Sequence, residues 1–317
     1  MAGDPDPIVL VEGLKMAYGA REALRGVDLA VRPSEVFGLL GPNGGGKSTL
    51  FRILATLLAP TGGRATICGK DVAGDPHGVR RRISVVFQSP SLDKKLTVIE
   101  NLRHQGRLYG LHGADLERRM AEMLGRVGLS GRERDRVETL SGGLKRRAEI
   151  AKSLLHGPAL LLLDEPTTGL DPAVRREVWD HLMALRDERG MTILVTTHLM
   201  DEADRCDRVA ILHEGQVVAL GTPKALRAEV GGDIVLVRAR DLARMQQRLS
   251  SELGLPAMVV DGSVRIERQD GQELLATILA RYGEDVEGVS LDRPTLEDVF
   301  IHRTGRTFAI AEGQARA

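Results

Sequence analysis

Between Gly41 and Ser48 the chain reads Gly-Pro-Asn-Gly-Gly-Gly-Lys-Ser, which fits the phosphate-loop pattern G-x-x-x-x-G-K-[ST]. Glycines in such a loop let backbone N–H groups come up against phosphate oxygens. Lys47 could then reach the β- and γ-phosphates, and the Ser48 hydroxyl could ligate Mg2+. A glycine-rich turn that happens to contain a lysine satisfies the same pattern, so the flanks decide. Residues 36–40 are an apolar run with the character of a buried strand. After the loop, Leu50, Ile53, Leu54, Leu57 and Leu58 recur at helical spacing as far as Pro60. A second apolar run, four leucines at 160–163, ends in Asp164 and Glu165. The first acid could hold Mg2+, usually through water, and the second could orient and polarise a water attacking the γ-phosphate. Carboxylates at the carboxyl end of a strand sit where open α/β sheets bind their ligands. A third feature is Ser141-Gly142-Gly143 ahead of a helix running to about Leu155, with Ser141 as a fair N-cap and the glycines exposing backbone donors. Spacing alone fits either a second anion site or an ordinary capped helix.

These groups need a scaffold. Val/Leu/Ile-rich segments bounded by Gly or Pro at 8–15, 26–31 and 64–67 read as short strands. From about 92 to 156 charges alternate with Leu and Met at helical spacing, as in 114–127, which reads as a helical insertion. Strands are expected again at 192–197 and 208–212. Strands alternating with helices predict a mostly parallel sheet covered by helices. A boundary falls at Gly231-Gly232. Beyond it the pattern is strand (234–238), helix (242–253), strand (257–260), strand (264–267), helix (273–282) and strand (286–291), with Asp261-Gly262 as a hairpin turn. That is the βαββαβ order of a ferredoxin-like unit. From 304 to 317 a polar tail is expected.

Composition narrows the function classes. The 317 residues carry 44 basic and 44 acidic side chains, which argues against a uniformly basic nucleic-acid binder. Aromatics make up 3%, too few for a stacking-based RNA or single-strand binder. Cys68 and Cys206 are the only cysteines, so neither a disulfide scaffold nor a zinc pattern is available. No apolar run approaches the roughly 18 to 20 residues of a membrane helix. The start, MAGDPDPIVL, lacks the basic and apolar regions of a secretory signal, so a cytosolic location is expected.

The run from Gly41 to His198 is similar to the nucleotide-binding subunit of an ABC transporter. LSGGLKRRAEIAKSLL, LLLLDEPTTGLDP and ILVTTHLMDEADRCDRVAIL are close to full motifs of that family, in its order, and the resemblance covers about 8–228. It implies that Tyr18 stacks on adenine. It gives Gly41, Asn43, Gly44, Gly46, Lys47, Ser48 and Thr49 the Walker A role in phosphate binding. Gln88 becomes the Q-loop glutamine near the Mg2+, which Ser48 and Asp164 also hold. Ser141, Gly142 and Gly143 become the signature that contacts the γ-phosphate of ATP held by a second chain. Asp164 is then the Walker B acid, Glu165 the general base, Asp171 the D-loop aspartate, and His198 the switch histidine facing the γ-phosphate. Taken singly, Tyr18 is as well a packing aromatic, Gln88 a loop amide and His198 a capping histidine; the order and spacing of the set decide. Two positions depart from the family pattern: Gly45 stands where Ala or Ser is commonest, and Leu144 where many members carry Gln.

Pro294-Thr295-Leu296-Glu297-Asp298-Val299-Phe300, followed by Thr304-Gly305, resembles a segment of daunorubicin-resistance-type ABC-2 exporters. The same residues also fit a capped helix with Leu296, Val299 and Phe300 packed on the domain. The implied α/β fold is a P-loop ABC ATPase core over 1–230, a mostly parallel sheet with an antiparallel β-subdomain and the helical insertion at 92–156. A small α+β accessory domain of ferredoxin-like order follows at 232–303. The implied function is an ATPase, with ATP and Mg2+ as cofactors, that powers export of a drug, lipid or glycoconjugate. Its partners would be a separate integral membrane permease and a second copy of itself at the cytoplasmic face of the membrane, with no nucleic acid. A non-transport ABC ATPase acting on ribosomes or DNA is the alternative; such proteins usually carry two cassettes or a long coiled coil, and this chain has neither. Every nucleotide motif precedes Gly231, so removal of 232–317 is expected to leave an ATP-binding core.

Overall fold

The structure, a computed structural model, describes residues 6–308. It opens with two long antiparallel strands, β1 (Val9–Tyr18) and β2 (Arg21–Val31), paired from Val9↔Val31 to Tyr18↔Arg21. This hairpin runs longer than the apolar segments alone suggest. Next, β3 (Val36–Leu40) enters the glycine loop and α1 (Lys47–Leu54) leaves it. Strands β4 (Gly62–Ile67) and β5 (Lys70–Asp71) complete a first, antiparallel sheet in the order β2-β1-β4-β5. After α2 (Pro76–Arg80) and β6 (Ile83–Val86) come the helices of the insertion: α3 (Val98–Leu108), α4 (Gly113–Arg126) and α5 (Gly142–Leu154), with a 3-10 turn at Val137–Thr139.

The chain then returns through β7 (Leu160–Asp164), α6 (Pro172–Arg189), β8 (Thr192–Thr197), α7 (Met200–Ala203), β9 (Arg208–His213), β10 (Gln216–Gly221) and α8 (Pro223–Glu229). The main sheet has the order β10-β9-β3-β8-β7-β6 and is parallel throughout except at β10. Every residue of β3 and β8 is buried, as a strand covered on both faces requires. Because β3 and β7 lie on either side of β8, the glycine loop after β3 and the acids ending β7 emerge at the same edge.

The third sheet is built from β11 (Asp233–Ala239), α9 (Leu242–Leu253), β12 (Ala257–Val260), β13 (Ser263–Arg268), α10 (Gly271–Tyr282) and β14 (Val286–Asp292). Its order, β12-β13-β11-β14, all antiparallel, is that of the ferredoxin-like unit. Asp261 and Gly262 both take positive φ, 45° and 73°, as a tight hairpin turn demands.

Three local expectations are corrected. Helix α1 ends at Leu54; Thr56 turns into the left-handed region (φ 60°), and Leu57 is 60% exposed, not on the buried helix face. Thr56 is held there by Arg80, whose guanidinium donates to its hydroxyl (2.8 Å) and its carbonyl (3.2 Å). Secondly, α11 (Leu296–Thr304), started by a capping box between Thr295 and Asp298 and expected within the 232–303 accessory domain, meets that domain's sheet through Asp298–Arg265 (3.1 Å) and His302–Glu267 (2.9 Å) but does not stay there. It crosses back onto α8, β10 and α7, and Leu296, Val299 and Phe300 join the hydrophobic cluster of Val209, Ile211 and Leu226. A cut at Gly231 therefore strips core residues from the ATPase domain. Thirdly, the tail does not begin at 304. Thr307 and Phe308 are buried, with the Phe308 ring 4.3 Å from that of Phe300. The rest of the expected tail, 309–317, lies outside the described residues.

Candidate active site

The glycine loop is shaped by what stands behind it. A Cβ on Gly41 would come within 2.2 Å of the Leu212 carbonyl oxygen on β9. Gly46, at φ 110°, has room for none against the Ala23 carbonyl and Leu24, both 3.0 Å away. Glycine at these points keeps the loop tight enough for its backbone to face a ligand. The first turn of α1 supplies N–H groups without intrahelical partners at the positive end of the helix dipole. Lys47 is 4% exposed, and its ammonium folds over the loop to donate to the carbonyls of Gly41 (2.5 Å) and Pro42 (3.0 Å). The cavity at this point is lined by Tyr18, Asn43, Gly44, Gly46, Lys47, Ser48 and Thr49 together with Arg21 and Arg52. Tyr18 stands at its rim, 46% exposed, so a ring face is available to a base. The two arginines carried no motif, and only the fold brings them to this cavity.

At the tip of β7, Asp164 accepts a hydrogen bond from the Thr196 hydroxyl on β8 (2.6 Å). Glu165 follows in the left-handed region (φ 43°), with its N–H donating to Thr196 O (3.1 Å) and Oγ1 (3.0 Å). Its carboxylate is a meeting point. His198 Nδ1 lies 3.3 Å from Oε1, Thr168 donates to Oε2 at 3.1 Å, and Gln88 Nε2 donates to Oε2 at 3.4 Å. The His198 imidazole holds the Glu165 carboxyl below the usual carboxylate range; burial opposes this, while the charges of His198 and Lys47 add to it. The structure thus brings Lys47, Gln88, Asp164, Glu165 and His198 to one sheet edge.

Ser141, Gly142 and Gly143 are not among the residues lining the loop cavity. Ser141 caps α5, accepting from Leu144 N at 3.4 Å. The glycines are tight against the D-loop side: a Cβ on Gly143 would meet Val174 of α6 at 2.2 Å, and one on Gly142 would meet Leu170 at 3.1 Å. Asp171 is the residue before α6. Leu144 packs against the hydrophobic cluster of the insertion, which suits an apolar residue there.

Sequence reasoning passed over Arg146. Its guanidinium is buried and donates to the carbonyls of Pro166 (2.7 Å), Phe87 (2.7 Å) and Asp164 (3.4 Å), and to Glu149 (3.0 Å). Glu149 in turn accepts from Ser91 N. One side chain of the signature helix therefore clasps the residue before Gln88 and the residues on both sides of Glu165. The spacing Arg-x-x-Glu was the available signal, but it reads equally as a surface pair.

Among the described residues no three His, Cys, Asp or Glu side chains gather as a metal cage. Mg2+ does not need one, since it is usually held by one or two carboxylates plus substrate phosphates, and the hard oxygen donors of Ser48 and Asp164 suit it.

A protein-family model described as ABC transporter matches residues 24–168, and one described as ATP-binding protein DrrA1-3-like, C-terminal domain, matches 221–304. The chain is 43% identical to the daunorubicin/doxorubicin resistance ATP-binding protein DrrA of Streptomyces peucetius, over 96% of this chain and 94% of that one. It is 39% identical to the Nod factor export ATP-binding protein I of Ralstonia nicotianae, over 95% and 94%. Among solved structures, cbiO1 from Clostridium perfringens, part of the ABC transporter complex cbiONQ, superposes with a TM-score of 0.67 at 31% identity, covering 79% of this chain and 97% of that one. An ATP-binding cassette in a dimeric post-hydrolysis state with ADP and Pi matches at TM-score 0.60 and 28% identity, over 68% and 98%. The loop, the acids and the accessory domain thus have one common source: the chain belongs to the ABC transporter family, as an ATP-hydrolysing ATP-binding subunit with a DrrA1-3-like C-terminal domain.

Proposed function

We propose that the chain binds ATP with Mg2+ at the Lys47 loop, pairs with a second copy of itself, and powers export through a separate integral membrane permease at the cytoplasmic face. The observation that carries this reading is the split of the site. Lys47, Gln88, Asp164, Glu165 and His198 share one sheet edge, while the glycine-flanked start of α5 stands outside the loop cavity, available to the ATP of another chain. Lys47 and the α1 N-terminus hold the phosphates, and Tyr18 takes the adenine. Ser48 and Asp164, with Gln88 nearby, would hold Mg2+, which would supply charge neutralisation at the phosphates. Glu165 orients and polarises the attacking water, and His198 steadies the γ-phosphate and the Glu165 carboxylate. Asp171, before α6, contacts the opposite chain.

The named relatives include resistance proteins for daunorubicin/doxorubicin and linearmycin and export proteins for Nod factor. That spread supports export of a drug, lipid or glycoconjugate. The test mixes two damaged chains, Lys47→Ala and Ser141→Arg. Each homodimer has two damaged sites, whereas the mixed dimer keeps one intact loop facing one intact signature. ATP-dependent crosslinking between the chains should reappear only on mixing. Its absence, with both variants folded, would refute the shared homodimeric site.

A further inference from the structure

Glu202 lies on α7, four residues after His198, and is 2% exposed. Its carboxylate accepts hydrogen bonds from the hydroxyls of Thr167 and Thr197, the latter at 2.6 Å. Thr197 immediately precedes His198, and its oxygen also accepts from Leu199 N at 3.0 Å, so one hydroxyl holds both flanks of the histidine. Thr167 lies two residues after Glu165, and its neighbour Thr168 donates to the Glu165 carboxylate. The Thr167 carbonyl also accepts from Leu170 N (3.1 Å), at the start of the D-loop. The indole of Trp179, on α6 beyond that loop, approaches the same carboxyl but falls short of hydrogen-bond geometry. A carboxylate buried this deeply is costly to desolvate. The two hydroxyl bonds offset part of that cost, and they tie together the segments that carry Glu165 and His198.

We propose that Glu202 is a positioning residue for hydrolysis: its carboxylate ties the His198 loop to the segment after Glu165 and keeps the His198–Glu165 contact in register. Beside the bonds from Glu165 N to Thr196, this carboxylate adds a buried side-chain link between the segment after Glu165 and the residue before His198. Misplacement of catalytic groups by about 1 Å costs up to about a hundredfold in rate. The inference rests on the reading that Glu165 and His198 act at the γ-phosphate.

The experiment measures steady-state ATP hydrolysis by the full chain against MgATP concentration, with thermal melting as the check on folding. Glu202→Leu should lower kcat about ten- to a hundredfold, the range expected when His198 and Glu165 are misplaced by up to about 1 Å, while KM stays within about twofold. Glu202→Gln, which can still bond both hydroxyls, should recover most of kcat. Wild-type kcat in Glu202→Leu, a loss carried by KM alone, or a Gln form as slow as the Leu form would each overturn the proposal. Should the Leu form fail to fold, Thr167→Val and Thr197→Val each remove one tether at equal volume, and wild-type kcat in both overturns it equally. His198→Ala separates the two layers. If it leaves hydrolysis intact, the assignment of His198 itself falls; if it is inactive while Glu202→Leu is not, only the role of Glu202 falls.

Discussion

Replacing Arg146 by leucine leaves Glu149 buried without its cation. The side chains of the pair are 6% and 3% exposed, so solvent cannot step in for the missing partner. The carbonyls of Phe87, Pro166 and Asp164 lose their donor as well. Breaking a buried ion pair from one side costs about 3–5 kcal/mol. For a domain of this size each kcal/mol moves the melting temperature by about 2–4 °C, so the expected fall is about 6–20 °C. Removing both charges, in Arg146→Leu with Glu149→Leu, deletes the stranded carboxylate along with its partner. The double variant should therefore melt above the Arg146→Leu single. Arg146→Lys should behave like a loss, because a single ammonium cannot reproduce a planar fork that serves three carbonyls and a carboxylate. The assay is differential scanning calorimetry of the wild type, the two singles and the double without nucleotide, fitted as separate transitions because the chain has more than one core. A double variant that melts below the Arg146→Leu single would refute the reasoning. The stability would then lie in the bond that Glu149 accepts from Ser91, which only the double loses, and not in the charge pair.

Phe300→Ala should cost about 3–5 kcal/mol and should do so in the ATPase transition, the one that ATP raises, because the ring lies in that cluster against Phe308 and His213. If only the third-sheet transition moves, α11 is not part of the ATPase core. Glu165→Gln should retain ATP affinity but lose most turnover, since the amide keeps the shape and cannot act as a base. Gel filtration with MgATP should then show a persistent dimer; hydrolysis at the wild-type rate would remove Glu165 from its role.

Much of this molecule was legible because its signals are local. The Gly41–Ser48 pattern between an apolar run and a helical period determines a strand, a turn and a helix start without help from distant residues. The leucines before Asp164 do the same for a buried strand with acids at its tip, and Asp261-Gly262 sets a hairpin through the dihedral freedom of those residues. Periodicity and turn chemistry act over a few bonds, so they survive without tertiary context.

Tertiary structure decided what depends on long-range closure. Strand β8 lies between β3 and β7, and only that order puts Thr196 beside Asp164 and His198 beside Glu165. Helix α1 stops at Leu54 and the left-handed turn at Thr56 beyond it meets Arg80, 24 residues further along the chain. The LEDVF helix is amphipathic by sequence, but nothing local says that its apolar face returns to α8 and β10 while Asp298 and His302 meet Arg265 and Glu267 of the sheet just completed. Arg146, Glu149 and Glu202 look like surface charges on helices. Their burial follows from segments far apart in the chain closing over them, and a buried charge persists only where those segments supply the partners that desolvation takes away.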